Sequence, residues 1–545
     1  MGRFNIRTTR SQAGSPVTTT GERTATHEGA TGHLRTAKSE LFLLAVANMV
    51  GADTFYEKSG DRDDRYTQLI RRLAVEDGAW TAGLLGWLRG PGTMRTAAIV
   101  GAAEFVKARL ENTDLVSEGI SGAVSNRAVV ASVLKRPDEP GELLAYWTGR
   151  YGRRIPKPVK RGIADAIGEL YTERSLLKYD TDSHAFRFGD VIELVHPSPA
   201  ATWQGDLFRH AIDRRHGRGD EPPAALELLC RRAAMAGWKA EERRALLHRP
   251  DAADFLRRAG MTWEALAGWL QGPMDRAAWE AVIPSMGLMA LVRNLRNFDE
   301  AGVSDAVAAQ VAARLADSEQ VARSRMFPFR FWAAYKHAPS LRWSHALEQA
   351  LGHALSNVPR LPGRTLILVD RSPSMFPGYS FSTANRSDIP LAEQAAVFGA
   401  ALAVRAEAPT LVEFGMRSRR LDVPKGMSAL RLIERFDRID GTDIPSAVKE
   451  HYDGHDRVVV VTDEQTRPGR LPSNCHGHWG GMPETEIDDL VPRHAPVYMW
   501  NMAGYKAGAA PSGGANRHAF GGLTDRAFSM VPLLEAGHDA RWPWQ

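Results

Sequence analysis

Residues 365–374 read TLILVDRSPS, and this stretch decides the fold of the C-terminal part of the 545-residue chain. The segment TLILV is a continuous apolar run of strand length, and Asp370 ends it. Such a run is typical of a strand that is buried on both faces, as in a parallel sheet covered by helices. Ser372 and Ser374 follow at alternate positions, in what we predict is a tight loop.

Helical and strand patterns alternate downstream of this stretch, which predicts an α/β domain with a parallel sheet. A linker rich in proline and glycine precedes the first strand, so we assign residues 359–545 to this domain. The predicted elements are the helix LAEQAAVFGAALAVRAE (391–407), the strand TLVEF (410–414), the helix SALRLIERFD (428–437), the strand RVVVVTD (457–463) and the strand PVYMWNM (496–502).

Oxygen-bearing side chains occur where ligands of an open parallel sheet gather, at the carboxyl ends of the strands. The candidates are Asp370, Ser372, Ser374, Thr442 and Asp463. Carboxylate and hydroxyl oxygens suit a hard cation and do not suit zinc. We therefore predict a metal site that holds Mg²⁺, with Mn²⁺ or Ca²⁺ as alternatives. The other interpretation is that these hydroxyls cap loops and helix N-termini without a metal.

Length and composition limit the class of protein. A chain of 545 residues is too long for one hydrophobic core, and 43% hydrophobic with 24% charged residues is ordinary for a globular protein. No apolar run is long enough to cross a bilayer, so we expect no membrane association. Cys230 and Cys475 cannot build a disulfide framework, which fits a reducing cytoplasm.

The part before the linker divides into a polar tail and a helical domain. Residues 1–33 are rich in Thr, Ser, Gly and Arg, so we predict a flexible tail. Over residues 34–358 apolar residues recur every three or four positions, as in YTQLIRRLAV and RTAAIVGAAEFVKARL, which indicates helices. Many helices joined by short turns predict a solenoid of antiparallel helix pairs.

A basic stretch opens one of these helices. Arg153, Arg154, Lys157, Lys160 and Arg161 precede or begin the helical pattern IADAIGELY, and further basic residues follow it at Arg174, Lys178 and Arg187. Basic residues oppose the preference of a helix N-terminus for acidic ones, which favours a role in binding an anion. The alternative is a solvated helix face.

The series Asp370, Ser372 and Ser374, then Thr442 and Asp463, resembles the metal-ion-dependent adhesion site of von Willebrand A domains. In those domains the open coordination position takes a carboxylate from a partner protein. Haloacid-dehalogenase phosphatases also place an aspartate after the first strand, but they need a second aspartate where this chain has Ser372. The resemblance therefore implies binding, and we expect no enzyme activity.

Three stretches of the helical part resemble the TROVE domain of Ro autoantigen proteins, of which this chain looks like a bacterial relative. They are KPVKRGIADAIGELYTERSLLKYDTDSHAFRFGDVIELVHPSP (157–199), IPSMGLMALVRNLRNF (283–298) and SRMFPFRFWAAYK (324–336). The order of parts also agrees, because a helical domain precedes a von Willebrand A-like domain. The fold that this implies is a ring of HEAT-like helical repeats followed by a Rossmann-type α/β domain.

The resemblance also implies a function. Ro proteins bind small structured Y RNAs and the ends of misfolded non-coding RNAs, and bacterial relatives work with an exoribonuclease, polynucleotide phosphorylase, in RNA quality control. A ring closed within one chain suits a monomer. Phosphate contact is physically sensible, because RNA recognised by shape is held through its backbone. The basic residues to which we assign RNA binding are Lys157, Lys160, Arg161, Lys178, Arg187, Arg293 and Arg296.

This chain departs from the family at two places. Phe186, Arg187 and Phe188 stand where animal Ro proteins carry tryptophan, serine and histidine, and the two phenylalanines either stack on bases or pack in the core. The segment Cys475-His476-Gly477-His478 lacks a fourth ligand at a standard spacing, so we do not predict a zinc site there.

We therefore expect a non-catalytic, cytoplasmic protein that binds non-coding RNA as a scaffold in RNA quality control. The alternative is a scaffold whose adhesion-type metal site grips an acidic residue of a partner protein. A hydrolase is a third class, but the chain has no paired catalytic carboxylates and no phosphate-binding loop.

Overall fold

The computed structural model divides the chain into two compact units. The α/β unit comprises residues 1–69, 326–333 and 348–545, and the helical unit comprises residues 70–325 and 334–347. The residues that the structure describes are 13–47, 51, 53–118, 124–219, 221–338, 340–356, 358–376, 389–468, 485–514, 516–522, 528 and 530–545.

The N-terminal segment begins the α/β unit with a β-hairpin and a helix, where the sequence predicts a flexible tail. Strands β1 (Thr19–Ala25) and β2 (Thr31–Arg35) pair in an antiparallel arrangement, and β2 also pairs with β8 (Ala507–Gly508). A segment of this composition becomes ordered because distant residues form hydrogen bonds with its backbone groups. Composition alone does not reveal these partners. Residues 1–12 of the predicted tail lie outside the described residues.

Helix α1 (Ala37–Ala47) follows the hairpin and belongs to the α/β unit, although the sequence predicts it as the start of the helical domain. It is apolar all round and buried, and it packs against β9 (Arg517–Gly521). A Cβ at Gly504 would lie 2.8 Å from the backbone of Leu44, so only glycine permits this close approach. Helix α2 (Ser59–Glu76) comes next in the chain.

The helical prediction for the middle of the chain is confirmed. Side chains of Asp77, Ser125, Thr172, Thr262 and Asp275 accept backbone N–H bonds and cap the helices that they precede. The helices are α3 (Gly78–Arg89), α4 (Arg95–Glu111), α5 (Thr113–Glu118), α6 (Asn126–Val133), α7 (Glu139–Tyr151), α8 (Lys157–Leu170), α9 (Glu173–Tyr179), α10 (Phe188–Val195), α11 (Thr202–Arg215), α12 (Glu227–Ala236), α13 (Ala240–Leu247), α14 (Ala252–Arg258), α15 (Trp263–Leu270), α16 (Arg276–Val282), α17 (Leu288–Glu300), α18 (Asp305–Leu315), α19 (Ser318–Ser324), α20 (Pro328–His337) and α21 (Ser344–Ala354). None of the described helices is long and apolar enough to cross a membrane.

Helix α8 shows how packing selects the face that stays in solvent. Its apolar residues Val159, Ile163 and Ile167 are fully buried, and α8 packs closely on α6. Gly162 lies at the contact, where an added Cβ would come 2.6 Å from the carbonyl oxygen of Arg127. Lys157 and Arg161 lie on the exposed side of α8.

A six-stranded sheet forms the centre of the α/β unit, which confirms the α/β prediction. Its strand order is β5-β4-β3-β6-β7-β9. The elements after α21 are β3 (Leu361–Asp370), α22 (Leu391–Arg405), β4 (Ala406–Phe414), β5 (Ser418–Leu421), α23 (Ala429–Ile433), α24 (Ile444–His451), β6 (Arg457–Thr462), α25 (Ile487–Leu490), β7 (Val497–Asn501), β8, β9 and α26 (Met530–Glu535).

The sheet is mixed, whereas the sequence predicts a parallel one. Strand β5 pairs antiparallel with β4, because the chain turns back directly after Phe414 and adds a short edge strand. The other neighbouring strands are parallel. The chain proceeds from β3 to β4 on one side and later to β6 on the other, so β3 and β6 flank the topological switch point.

Candidate metal centre and nucleic-acid interface

The two candidate carboxylates follow adjacent strands at the switch point. Val369 is in register with Val461, which places Asp370 beside Thr462 at the carboxyl end of the sheet. The Thr462 hydroxyl donates a hydrogen bond of 2.5 Å to Oδ2 of Asp370. Asp463 is the next residue, so the topology brings both carboxylates to one place.

The loop after β3 turns both serines back toward Asp370. The backbone N–H of Ser372 donates to Oδ1 of Asp370 at 2.9 Å, and the hydroxyls of Ser372 and Ser374 lie 3.1 Å apart. Arg371 holds the loop from behind, since its guanidinium donates to the carbonyl oxygens of Asp437 at 2.7 Å and Ala392 at 2.6 Å. The predicted spacing therefore produces a compact group of oxygen atoms.

The electrostatics of the two carboxylates favour a cation between them. Burial raises the pKa of Asp370, and hydrogen bonds from Ser372 and Thr462 only partly oppose that rise. Burial also raises the pKa of Asp463, and the negative charge of Asp370 raises it further. Oδ1 of Asp463 accepts from the backbone of Gln465, but its buried Oδ2 has no hydrogen-bond partner among the described residues. A buried carboxylate oxygen without a hydrogen-bond donor is suited to coordinate a cation.

Thr442 contacts the loop that follows β6 through its backbone. Its carbonyl oxygen accepts from the backbone N–H of Arg467 at 3.0 Å and from the Thr466 hydroxyl at 3.5 Å. The Thr466 hydroxyl in turn accepts from the backbone N–H of Ile444 at 3.0 Å, so residues 442–444 lie along this loop. Thr442 is 2% exposed. The neighbouring Asp443 caps α24 by accepting from Ser446, so its role is local.

The donor set consists of two carboxylates and hydroxyl groups. Among the described residues no group of three or more His, Cys, Asp or Glu side chains is arranged to hold a metal ion. Ser372 and Ser374 would supply hydroxyl oxygens to a cation beside the two carboxylates, whereas the backbone of Thr442 contacts Arg467 and Thr466. Such a set fits Mg²⁺, which commonly binds through one or two carboxylates and completes its shell with neutral oxygens.

Sequence analysis misses the residues that contact the loop after β6, most of which come from the segment predicted as a tail. The tip of the β1–β2 hairpin, residues 26–30, lies on the loop after β6, and the Thr26 hydroxyl donates to the carbonyl oxygen of Thr466 at 2.7 Å. Tyr56 and Tyr505 contact the tip through their rings. Threonines flank His27-Glu28-Gly29 on both sides, and from this strand–turn–strand pattern the hairpin could have been predicted.

The basic stretch of the helical unit lies on the surface. Arg153, Arg154, Lys157 and Arg161 are exposed, and Lys160 is half-buried. Within the part of the chain that the structure describes, none of these five side chains forms a hydrogen bond or an ion pair. The turn that carries them is held by the indole of Trp147, which donates to the carbonyl oxygen of Arg154 at 3.1 Å.

The other predicted RNA-binding residues differ from this group. Arg187 is engaged by Asp180 at 2.7 Å and Asp182 at 2.8 Å, so a phosphate reaches it only by displacing carboxylates. Arg296 pairs with Glu300 along the same helix at 2.8 Å, and the Lys178 ammonium lies 5.1 Å from the ring of Tyr179.

Arg293 is exposed on α17, and within the described residues it forms no ion pair. Helix α17 packs on α18 and α19, whereas α8 packs on α6, α7 and α10. Contacts within the helical unit therefore do not bring α17 and α8 into one packed group.

Phe188 is buried and stacks on Tyr171, with ring centroids 3.8 Å apart, which excludes it from stacking on a base. Cys475, His476 and His478 lie outside the described residues.

Comparisons with known proteins agree with the resemblance seen in the sequence. A family model described as the TROVE domain matches residues 257–342, which includes the stretches at 283–298 and 324–336. The crystal structure of the Ro (RSR) protein of Deinococcus radiodurans is similar, with a TM-score of 0.59 and 18% sequence identity. The match covers 92% of this chain and 100% of that one. Comparison with curated protein sequences gives no match.

The structural likeness concerns the fold, because the identity is low, and the family model supplies the link in sequence. The two observations are independent, since one compares backbones and the other compares residues. Together they show that residues 257–342 match the TROVE-domain family model and that the chain has a fold similar to that of a Ro protein.

Proposed function

We propose that this protein binds structured non-coding RNA through the basic surface at the start of α8 and acts as a scaffold without catalysing a reaction. The observation that carries the proposal is the set of five basic side chains within residues 153–161 that have no partner among the described residues. Solvent-exposed cations without a protein partner are free to replace the counterions of a phosphate backbone.

The contrast with other cations of the helical unit supports this proposal. Arg89 and Arg95 share Glu139, and Arg127 pairs with Asp165 on α8 itself at 2.6 Å. Most arginines of the unit are thus neutralised within the protein, whereas residues 153–161 keep their charge available. Lys157 is also the first residue of α8, where the helix dipole adds positive potential.

The class of RNA comes from the family. We propose small structured RNAs similar to Y RNA, together with misfolded RNA ends, as the ligands, and an exoribonuclease such as polynucleotide phosphorylase as a protein partner. A monomer in the cytoplasm, not attached to a membrane, suits this role. RNA recognised by shape is held by phosphate and 2′-hydroxyl contacts, for which lysine and arginine are suitable donors.

We further propose that the centre at the end of β3 and β6 binds Mg²⁺, with Mn²⁺ or Ca²⁺ as substitutes. Asp370, Ser372, Ser374, Thr442 and Asp463 would hold the ion, and the unpartnered Oδ2 of Asp463 supports this assignment. The ion would neutralise two buried carboxylates and fix the loop after β3. We assign it no part in chemistry.

The alternative function is a metal-dependent grip on an acidic residue of a partner protein. The resemblance to the adhesion site favours it, but the candidate ligands are at most 7% exposed. A partner's carboxylate therefore meets the site only if a covering segment moves. We treat partner binding as secondary to RNA binding for this reason.

Sequencing the RNA that co-purifies with the full-length protein from its native cell tests the proposal. We expect enrichment of a few structured non-coding RNAs over their share of total RNA. Recovery of no RNA, or of RNA in proportion to total abundance, would contradict the proposal. The variants described in the Discussion then locate the RNA-binding surface.

A further inference from the structure

Basic residues are concentrated in the segment of the α/β unit that runs from strand β5 through α23. Between residues 417 and 438 the chain carries seven basic and three acidic residues. Strand β5 stands at one end of the strand order, so this segment lies at an edge of the six-stranded sheet. Five of its cations are exposed, and we call them the edge surface: Arg417, Arg420, Lys425, Arg431 and Arg435.

The cations of the edge surface are not neutralised by ion pairs. Four of them form no ion pair and no side-chain hydrogen bond with any described residue, and the fifth, Arg435, donates to a neutral acceptor, the carbonyl oxygen of Asp422, at 3.0 Å. Other exposed arginines of the α/β unit differ, since Arg364 pairs with Asp453 at 3.2 Å. The edge surface therefore keeps its positive charge available to a ligand.

A buried carboxylate holds the backbone of this segment in place. Glu413 on β4 is 1% exposed, its Oε1 accepts from Arg419 at 2.6 Å, and its Oε2 accepts from the backbone N–H of Asp437 at 2.7 Å. Arg419 also donates to the carbonyl oxygen of Arg435 at 3.1 Å. Arg419 is thus used inside the protein, and it joins the chain after α23 to strand β5. Cations on a fixed backbone lose less conformational entropy when they bind a ligand.

The edge surface extends over both sides of strand β5. Successive side chains of a strand point to opposite sides. Arg419 contacts the segment after α23, whereas the preceding Ser418 contacts the end of α24, where its hydroxyl donates to Glu450 at 2.5 Å and lies 2.8 Å from Nε2 of His451. By this alternation Arg420 lies on the same side of the strand as Ser418. The cations of α23 and of the chain after it lie on the other side.

This arrangement fits a polyanion that crosses the edge better than a peptide that extends the sheet. A peptide added as a further strand follows the line of the edge strand and pairs with its backbone. Strand β5 has only four residues, and the cations are spread over both of its sides and over α23. A phosphate backbone needs no backbone pairing, because it is held by positive charges that replace its counterions.

We propose that the edge surface binds the phosphate backbone of RNA, so that the α/β unit contributes a contact with RNA in addition to the basic surface of α8. This inference rests on the RNA binding proposed above and assigns it a second, separate site. Such a contact carries no base specificity of its own, because phosphates are common to every sequence. It adds affinity and makes that affinity depend more steeply on salt.

The test measures binding of a fluorescein-labelled RNA stem-loop with a single-stranded tail to the full-length protein, by fluorescence anisotropy over a series of salt concentrations. The variant Arg417→Gln/Arg420→Gln/Arg431→Gln removes three exposed charges from the edge surface. The matched control Arg23→Gln/Arg493→Gln/Arg541→Gln removes three exposed charges elsewhere in the α/β unit. Asn516, just before the opposite edge strand β9, donates to the carbonyl oxygen of Arg493.

We expect the edge variant to bind this RNA about tenfold more weakly than wild type at physiological salt, with a plot of log affinity against log salt that is shallower by about 2–3. The control variant is expected to match wild type in both quantities. Adding Lys157→Gln, Lys160→Gln and Arg161→Gln to the edge variant is expected to multiply the two losses of affinity, since independent contacts add in free energy. All three edge side chains are exposed, so thermal melting of the edge variant is expected to match wild type.

Wild-type affinity and salt dependence in the edge variant, with a loss in the α8 variant, would overturn this inference and leave the proposed function standing. A wild-type chain that binds no RNA would overturn both. Self-association of the edge variant in light scattering, with unchanged RNA affinity, would show that the arginines only protect the strand from edge pairing. An oligoglutamate peptide that binds wild type but not the edge variant, again with unchanged RNA affinity, would assign the surface to an acidic protein instead.

Discussion

Arg35 and Glu464 form an ion pair of 2.7 Å in which both side chains are 1% exposed. The pair ties strand β2 to the residue directly after Asp463. Glu464 adopts a left-handed backbone conformation, with φ of 64°, and its carboxylate also accepts from Asn501 at 2.9 Å and from the backbone of Ala509 at 2.9 Å. A strained residue of this kind persists where its surroundings fix it, so the N-terminal hairpin helps to set the position of Asp463, the neighbouring residue proposed as a metal ligand.

Replacing Arg35 by Met leaves Glu464 buried without its cation. We expect the free energy of unfolding to fall by about 3–5 kcal/mol, the usual result of breaking a buried pair from one side. Urea denaturation followed by tryptophan fluorescence measures the change. Arg35→Met/Glu464→Gln removes both charges and is expected to recover part of the loss. If the single variant were as stable as wild type, the pair would have no role in holding the hairpin.

Neutralising the basic surface is expected to weaken RNA binding. Replacing Lys157, Lys160 and Arg161 together by Gln removes three phosphate contacts, so the plot of log affinity against log salt becomes shallower by about 2–3. Affinity for a structured RNA at physiological salt is expected to fall roughly tenfold or more. Reversal to Glu has a larger effect in the same direction, and filter binding over a salt series measures both.

The control for this change is an equal loss of charge elsewhere on the helical unit. Arg249, Arg257 and Arg258 are exposed but already paired with Asp251 or Asp254. Replacing these three by Gln is expected to leave RNA affinity and its salt dependence nearly unchanged. Equal losses in the two triple variants would mean that net charge, and not the surface at α8, governs binding.

If the proposed metal centre holds a cation, one substitution has opposite effects on stability with and without that cation. Asp463→Asn removes a negative charge beside Asp370, so the protein in EDTA is expected to melt at a higher temperature than wild type. Mg²⁺ at about 100 times its Kd is expected to stabilise wild type by about 2.7 kcal/mol and the variant hardly at all. Asp443→Asn, which preserves the cap of α24, keeps the wild-type response. A Mg²⁺ response that Asp463→Asn leaves intact would argue against the site.

Gly162 and Gly168 provide a matched pair on α8. A Cβ at Gly162 would lie 2.6 Å from both the Arg127 carbonyl oxygen and the Val130 Cβ, whereas a Cβ at Gly168 meets nothing within 4 Å. Gly162→Ala is expected to lower the free energy of unfolding by about 1–3 kcal/mol, because it forces α6 and α8 apart. Gly168→Ala is expected to raise the free energy of unfolding by up to about 1 kcal/mol through helix propensity. Chemical denaturation of the two variants compares these effects, and similar values would refute the packing argument.

We expect His518 to cause a loss of stability in mild acid. Burial, and then the charge of Arg517, lower its pKa from the ordinary 6.5 to about 4. Between these two values the unfolded chain binds a proton that the folded protein does not, so stability is complete above pH 6.5 and declines as pH falls toward about 4. The loss from this one residue is at most about 3 kcal/mol.

His518→Phe tests this assignment, because it retains a ring to stack on Tyr498 but has no proton to gain. Unfolding curves at pH 7 and pH 5 are expected to differ less for the variant than for wild type. His248→Phe changes an exposed histidine and serves as the control, for which we expect the wild-type pH dependence. An unchanged pH dependence in His518→Phe would show that other groups cause the acid response.

The local sequence is sufficient to predict those parts of the protein whose structure depends on neighbours along the chain. The apolar runs ending at Asp370 and Thr462 identify β3 and β6, because a strand buried on both faces has few alternatives in composition. Parallel strands then bring their carboxyl ends together, so the group of Asp370, Ser372, Ser374 and Asp463 follows from order and spacing. The helical character of the middle of the chain follows from periodicity in the same way.

The fold of residues 13–47 could not be predicted from the sequence and is seen only in the tertiary structure. Their composition predicts a tail and a first helix of the helical domain, yet strand β2 is completed by β8 and helix α1 by β9. Polar segments become ordered when distant residues supply hydrogen bonds and cover apolar atoms, and neither partner is visible in a local pattern. The contact between the hairpin tip and the loop after β6 has the same origin.

The sequence by itself determined the two fold classes, the donor oxygens at the ends of β3 and β6, and the presence of a basic stretch at the start of α8. Only the tertiary structure decided which cations remain unpaired, since Arg187 is held by Asp180 while residues 153–161 have no such partner among the described residues. It also placed the hairpin tip on the loop after β6. Arg187 and Asp180 are 7 residues apart and Thr26 and Thr466 are 440 apart, yet in both cases the free energy of the contact is set by distance in space and not by distance in sequence.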